Sequence, residues 1–190
     1  TGWNCELYDI PYLMGRMERL MGEKYAKRMS PWGICRRNEI KIAGRDNIVY
    51  DIVGISVIDY LDLYKKSPAT PNQESFRLDH IAMMELGQKK LDHSEYDTFR
   101  EFYTKNWQKF VDYNIVDVEL VDRLEDKLKL IDLCCTRAYD AKINFTDVAF
   151  QVSTWDAIIY NYLKKKNIVI PQKDRNSKDA KYAGAYVKEP

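Results

Sequence analysis

Histidine and cysteine are scarce in this 190-residue chain, with two of the first and four of the second. Cys5, Cys35, Cys134 and Cys135 form no CxxC pair and have no histidine beside them. That excludes a Cys/His zinc site and leaves reduced structural thiols in a cytosol as the expectation. His80 and His93 stand in no ligand spacing and read as surface or rim residues. Long apolar runs are also missing, so no helix is expected to span a membrane, and the amino terminus lacks the charged-then-apolar layout of a signal peptide. These absences point to a soluble, cytoplasmic protein. Charge of one sign is lacking too: 30 basic against 29 acidic residues leave a formal +1. No global field therefore draws the chain to nucleic acid, and any DNA contact must be local. There is no glycine-rich phosphate loop, no GxSxG and no Cys/His nucleophile. The lysine runs at 65–66, 89–90 and 164–166 read as solvated faces rather than phosphate sites.

What is present is an ordinary globular composition, 45% hydrophobic and 31% charged with 14 tyrosines, long enough for one core and part of a second domain. Ile10, Leu13, Met14, Met17, Leu20 and Met21 keep a three-and-four spacing that predicts a helix from about Pro11 to Met21, ended by Gly22. EIKIA (39–43) and NIVYDI (47–52) flank the turn residues Gly44, Arg45 and Asp46 and read as a hairpin. GISVID (54–59) reads as a further strand, Tyr60 to Lys66 as a short helix, and 68–71 as a loop. SFRLDHIAMMEL (75–86) is an amphipathic helix meeting Gly87, and Ser94 to Asp97 matches a capping box opening a helical region with Phe99, Phe102, Tyr103 and Trp107. From Phe110 one row runs through Asn114, Asp117, Val121, Leu124, Leu128, Ile131 and Cys135 on a single helical face. A second capping box, Ser153 to Asp156, is placed to start TWDAIIYNYLKKK, and the polar stretch from about 172 to 181 reads as a linker. The fold class is mixed α/β, helix-rich with a minor sheet.

Asp117 is the most informative position. An ionised carboxylate on an apolar helix face must be paired, exposed or coordinated to a cation. Tyr113 lies one turn earlier on the same side, so its hydroxyl could reach a water or phosphate held there. The competing reading is that Asp117 faces solvent. Glu119 makes an Asp-x-Glu pair with it, but residues i and i+2 share a face only on a strand and diverge by about 200° on a helix. The helical repeat around them makes Asp117 a lone ligand and Glu119 a surface residue. For Asp9, ahead of Ile10-Pro11, helix capping and metal binding stand as equal readings.

Asn4-Cys5-Glu6-Leu7-Tyr8-Asp9 resembles the second exonuclease motif of family B DNA polymerases, and Tyr113 to Asp117 resembles the third. Their order and separation, with TWDAIIYNYLKKKNIVIPQ behind them, look like the polymerases of T-even-type phages. Tyr182-Ala183-Gly184-Ala185 is similar to the family's Tyr-x-Gly-Gly/Ala element between the exonuclease and polymerase halves. The resemblance implies part of a ribonuclease H-like exonuclease domain over 1–130, a segment returning to the amino-terminal domain over 131–172, and a linker with the start of the palm over 173–190. It implies 3′ to 5′ proofreading with Mg²⁺ or Mn²⁺, Asp9 and Asp117 as metal ligands and Tyr113 orienting the attacking water. Asn4, Tyr8, Lys90, Tyr182 and Gly184 become candidate DNA contacts. The implied partners are a single-stranded primer terminus, primer-template DNA, the remainder of the same polymerase and a sliding clamp, with no membrane. The family's strand-borne Asp-x-Glu motif and its palm aspartates are absent from this sequence, which begins at Thr1 without Met and reads as an excised piece. The expectation is that it is inactive alone. The alternative is a non-catalytic nucleic-acid-binding or scaffold module.

Overall fold

The computed structural model describes residues 1–42, 44–92 and 94–170. Helix α1 (Asp9–Met21) is followed by the single turn α2 (Glu23–Ala26) and by an antiparallel hairpin, β1 (Cys35–Ile42) and β2 (Arg45–Ile52). Helices α3 (Tyr60–Lys66), α4 (Leu78–Leu86), α5 (Phe99–Lys105), α6 (Trp107–Leu128), α7 (Leu130–Ala141) and α8 (Gln151–Lys165) complete the order. The chain is helix-rich, and the hairpin is the only sheet among the described residues.

The main core forms where α3, α4, α6 and the start of α7 meet. Tyr60, Tyr64, Leu78, Ile81, Ala82, Leu120, Leu124 and Leu130 close on one another there, and Trp3 packs against them from the amino terminus. A second cluster is aromatic: Phe102 of α5 is fully buried between Tyr96, Phe99, Phe110 and Tyr113, tying α5 to the first half of α6. The hairpin stands away from both. Its base is fixed by Ser30, whose hydroxyl donates to Val53 O at 2.7 Å, and by Gly54 at φ 91°, where a β-carbon would lie 2.1 Å from the Trp32 ring. Only a residue without that carbon fits beneath the indole in this backbone region.

Several elements depart from the sequence-based expectations. Helix α1 starts at Asp9 rather than Pro11, with Tyr8 at the cap and no side-chain bond to it, so Asp9 lies in the first turn and is not the cap. A carboxylate there still suits the positive end of the helix dipole. The hairpin is right but tighter, because Arg45 and Asp46 pair with Ile42 and Lys41 instead of turning. GISVID forms no strand; among the described residues it has no ladder partner beyond a bridge between Asp59 and Gly2. The capping interaction before α5 lies one helical turn later, at Thr98 to Glu101 instead of Ser94 to Asp97: Thr98 accepts from Glu101 N at 3.1 Å, and the Glu101 carboxylate reaches back to Asp97 N at 3.1 Å. Ser153 lies inside α8, which begins at Gln151 with no side-chain cap. The long row from Phe110 to Cys135 is split at Lys129, which takes a left-handed conformation with φ 52° and redirects the chain into α7. Of the row's members only Leu124 is buried and Asn114 is exposed; the buried residues of α6 are Tyr113, Leu120 and Leu124. The linker expected at 172–181 lies outside the described residues, as does His93.

All four cysteines are free, Cys5 and Cys134 being buried. Burial first, and the Asp59 carboxylate second, push the Cys5 thiol up to about 11, and burial also raises Cys134. Since only the thiolate is a nucleophile, iodoacetamide at neutral pH is expected to alkylate Cys35 and Cys135 ahead of Cys5 and Cys134, as read by peptide mass spectrometry. Early labelling of Cys5 would contradict its placement.

Candidate functional site

Where Asp9 stands is decided at a distance by Asp59. This buried carboxylate accepts three backbone N–H groups: Asn4 at 2.9 Å, Glu6 at 3.1 Å and Leu61 at 3.0 Å. It thus caps α3 and, with the same two oxygens, shapes the turn that leads into α1. Tyr60 N donates to Gly2 O at 2.8 Å, and Trp3 Nε1 donates to Phe76 O at 3.2 Å, so the amino-terminal segment lies clamped along α3. Asn4 takes a left-handed conformation at φ 62°, which asparagine tolerates better than most residues. The turn Asn4 to Tyr8 then delivers Asp9 as the first residue of α1. Sequence reasoning missed Asp59: its cap bond to Leu61 N is local, but the two partners through which it shapes the turn before Asp9 lie more than fifty positions away.

Asp117 is set by α6, on the side that also carries Tyr113 and Leu120. It does not face open solvent. Lys90, on the loop after α4, places its ammonium 2.7 Å from Asp117 Oδ2 and 3.4 Å from the Tyr113 hydroxyl, with the Tyr113 ring centroid 5.4 Å away. Both members of the Lys90–Asp117 pair are largely covered, at 22% and 27% side-chain exposure. The other carboxylate oxygen, Asp117 Oδ1, is buried and accepts no hydrogen bond from the described residues. Lys90 is itself positioned through its backbone N–H, which donates to Asp79 Oδ1 at 3.0 Å on the first turn of α4. Asp79 is a second residue the sequence did not single out. Glu119 is on the exposed side of α6, paired with Arg123 at 2.9 Å. With residues 117 and 119 both helical, the strand-like Asp-x-Glu reading is excluded.

Asn4, Asp9, Lys90, Tyr113, Asn114 and Asp117 all line one cleft of about 1170 Å³. The two carboxylates singled out in the sequence, 108 positions apart by their numbers, 9 and 117, thus share a single concave surface. Tyr8 is 68% exposed on the adjoining turn. Burial raises the Asp9 carboxyl above the ordinary aspartate value, with Asp59 adding in the same direction, while its own backbone N–H acts the other way. An acid made more basic by desolvation is eased by any cation placed beside it. The donor set suits a hard divalent cation: carboxylate oxygens, one of them buried and without a partner, in a cleft with room for water. Among the described residues no group of three or more His, Cys, Asp or Glu is close enough to hold a metal ion, so the fit is that of a partial site. Tyr182 and Gly184 lie outside the described residues.

Comparison with known proteins decides the family. Residues 1–81 match the exonuclease domain of DNA polymerase family B. The whole chain is 42% identical over 191 aligned positions to the DNA-directed DNA polymerase of Escherichia phage RB69, and 40% identical over 190 to that of Enterobacteria phage T4. The chain belongs to DNA polymerase family B. It spans 21% of the length of each of these two polymerases. A more distant relative, the DNA polymerase of Autographa californica nuclear polyhedrosis virus, is 25% identical over 154 residues, 80% of this chain and 15% of that protein. The family B match over 1–81 takes in the Asn4 to Asp9 motif and Asp59, and the phage polymerases extend the likeness through Lys90, Tyr113 and Asp117. No helix among the described residues is long and apolar enough to cross a membrane.

Proposed function

We propose that this chain supplies part of a 3′ to 5′ proofreading exonuclease in a replicative DNA polymerase, with a single-stranded primer terminus entering the cleft between α1 and α6. The carrying observation is the convergence of Asp9 and Asp117 on one cleft in a family B exonuclease segment. Asp9 and Asp117 would hold the divalent cations through carboxylate oxygens. Bound Mg²⁺ or Mn²⁺ in a two-metal site lowers the pKa of a water and offsets charge on the attacking and leaving oxygens. The Tyr113 hydroxyl orients the attacking water, held in place by the aromatic packing behind it. Asn4 and Tyr8 contact the frayed strand, the first by hydrogen bonding and the second by stacking. Lys90 meets the phosphate. Tyr182 and Gly184 are assigned to the passage into the palm, within a linker and palm entry at 173–190. Residues 131–172 are assigned to a segment returning to the amino-terminal domain, and 1–130 to a ribonuclease H-like exonuclease domain. The remainder of the polymerase, primer-template DNA and a sliding clamp are the partners this reading requires.

One observation favours a rival reading. The Lys90–Asp117 ion pair is what a non-catalytic nucleic-acid-binding or scaffold module would use to neutralise a half-buried carboxylate. Mn²⁺ titration separates the two. The exonuclease reading expects a weak site, with Asp9→Ala and Asp117→Ala each reducing affinity about tenfold; unchanged affinity in both variants supports the module. With only Asp9 and Asp117 assigned as ligands and no third acidic group beside them among the described residues, Mg²⁺-dependent degradation of single-stranded DNA by this polypeptide alone is expected to be negligible, and robust degradation abolished by Asp9→Ala would show that further ligands lie within it.

A further inference from the structure

We propose that Lys90 couples cation binding to DNA binding: its ammonium holds Asp117 until a phosphodiester draws it away, so that each ligand tightens the other. The inference rests on the assignment of Asp9 and Asp117 as cation ligands.

Lys90 Nζ occupies Asp117 Oδ2 at 2.7 Å, which leaves Oδ1, without a hydrogen-bond partner among the described residues, for an incoming ion. Two carboxylates and one ammonium give the cleft one net negative charge from these three groups. That is a weak inducement for Mg²⁺, which sheds water reluctantly. A nucleic-acid phosphodiester entering the same cleft offers the ammonium a competing anion. If the ammonium transfers to it, both oxygens of Asp117 become available and the charge facing the ion doubles from one to two. The reverse holds as well, because an ion at Asp117 repels the ammonium toward the strand.

The anchoring of Lys90 suits this exchange. Its backbone N–H is fixed to Asp79 on α4, whereas its head is carried on a flexible four-carbon stem. The side chain can therefore change partner while the loop stays in place. The second contact, to the Tyr113 hydroxyl at 3.4 Å, is longer than the ion pair and is the weaker restraint. Thermodynamic reciprocity then requires that the strand raise cation affinity by the same factor as the cation raises strand affinity.

The test is Mn²⁺ binding to the full 190-residue chain, read as the loss of the free-ion electron paramagnetic resonance signal. It is run with and without a short oligothymidylate carrying a non-cleavable backbone. In the parent chain the strand is expected to tighten Mn²⁺ binding about five- to tenfold. In Lys90→Met the ion should bind more tightly without DNA by a similar factor, and the strand should add nothing. Lys90→Gln serves as a second variant, with circular dichroism to verify its fold. The coupling is overturned if both variants bind Mn²⁺ no more tightly than the parent, or if the strand tightens binding equally in all three. If Asp9→Ala and Asp117→Ala leave the parent affinity unchanged, the cation assignment fails and the coupling with it; if they weaken it while the lysine variants change nothing, only the coupling fails.

Discussion

Phe102→Ala is expected to lower the unfolding free energy by about 3–5 kcal/mol, the range for emptying a buried aromatic position. The measurement is urea unfolding, with a lower midpoint and an unchanged slope. Phe102 is fully buried, and four other rings surround it: Tyr96 at 5.0 Å, Phe110 at 5.5 Å, Tyr113 at 5.9 Å and Phe99 at 6.2 Å. Rings held by rings from two helices and a loop have little freedom to collapse into the space, so the cavity cost adds to the lost transfer energy. Phe102→Leu retains much of the volume and should cost less. Because Tyr113 loses an edge contact, the alanine variant should also move its hydroxyl relative to Lys90, seen as a changed Tyr113 side-chain resonance. A loss below about 1 kcal/mol would mean that the site collapses far better than this geometry allows.

Asp59→Ala should cost about 3 kcal/mol or more in the same assay, since it strands three backbone donors in a covered position at about 1–3 kcal/mol each. One of them, Leu61 N, is the first-turn amide of α3 that Asp59 caps, and the other two belong to the turn before Asp9. Asp59→Asn keeps one oxygen acceptor and should lose roughly half as much. Hydrogen exchange distinguishes this from a general loss of stability: the Asn4 and Glu6 amides should lose protection below the denaturant level at which the main core opens. Equal protection of those amides in parent and variant would show that the turn holds itself.

The elements that sequence revealed were those whose signal is local. The apolar spacing of α1 and the β-branched runs of the hairpin predict those elements to within a few residues, and Tyr60–Lys66 is matched at both ends. Asp117 stood out because one charge interrupted an apolar row, although the buried row runs through Tyr113, Leu120 and Leu124 instead of Asn114 and Val121. A row read at mixed three-and-four spacing leaves a choice between neighbouring faces, and packing against α4 made that choice. The strand expected at GISVID was lost for a similar reason. Its composition favours extension, but a strand needs a partner, and among the described residues only Gly2 offers one. The controlling contacts of the site, Asp59 to the amino-terminal turn and Asp79 to Lys90, join distant positions or irregular loops. No spacing rule reaches them.

The left-handed residue at Lys129 has a mechanical consequence. Beyond it Leu130 enters the main core, and the Glu125 carboxylate receives the Ile131 and Asp132 amides at 3.0 and 3.3 Å, which ties the corner to the helix before it. The opposite end of α6 is gripped by the ring cluster around Phe102. Asp117, near the midpoint, is therefore carried on a beam clamped at both ends. Adjustment to a ligand must come from its opposite wall, from the lysine on its loop and the opening turn of α1, while the carboxylate on the beam serves as the fixed point against which they move.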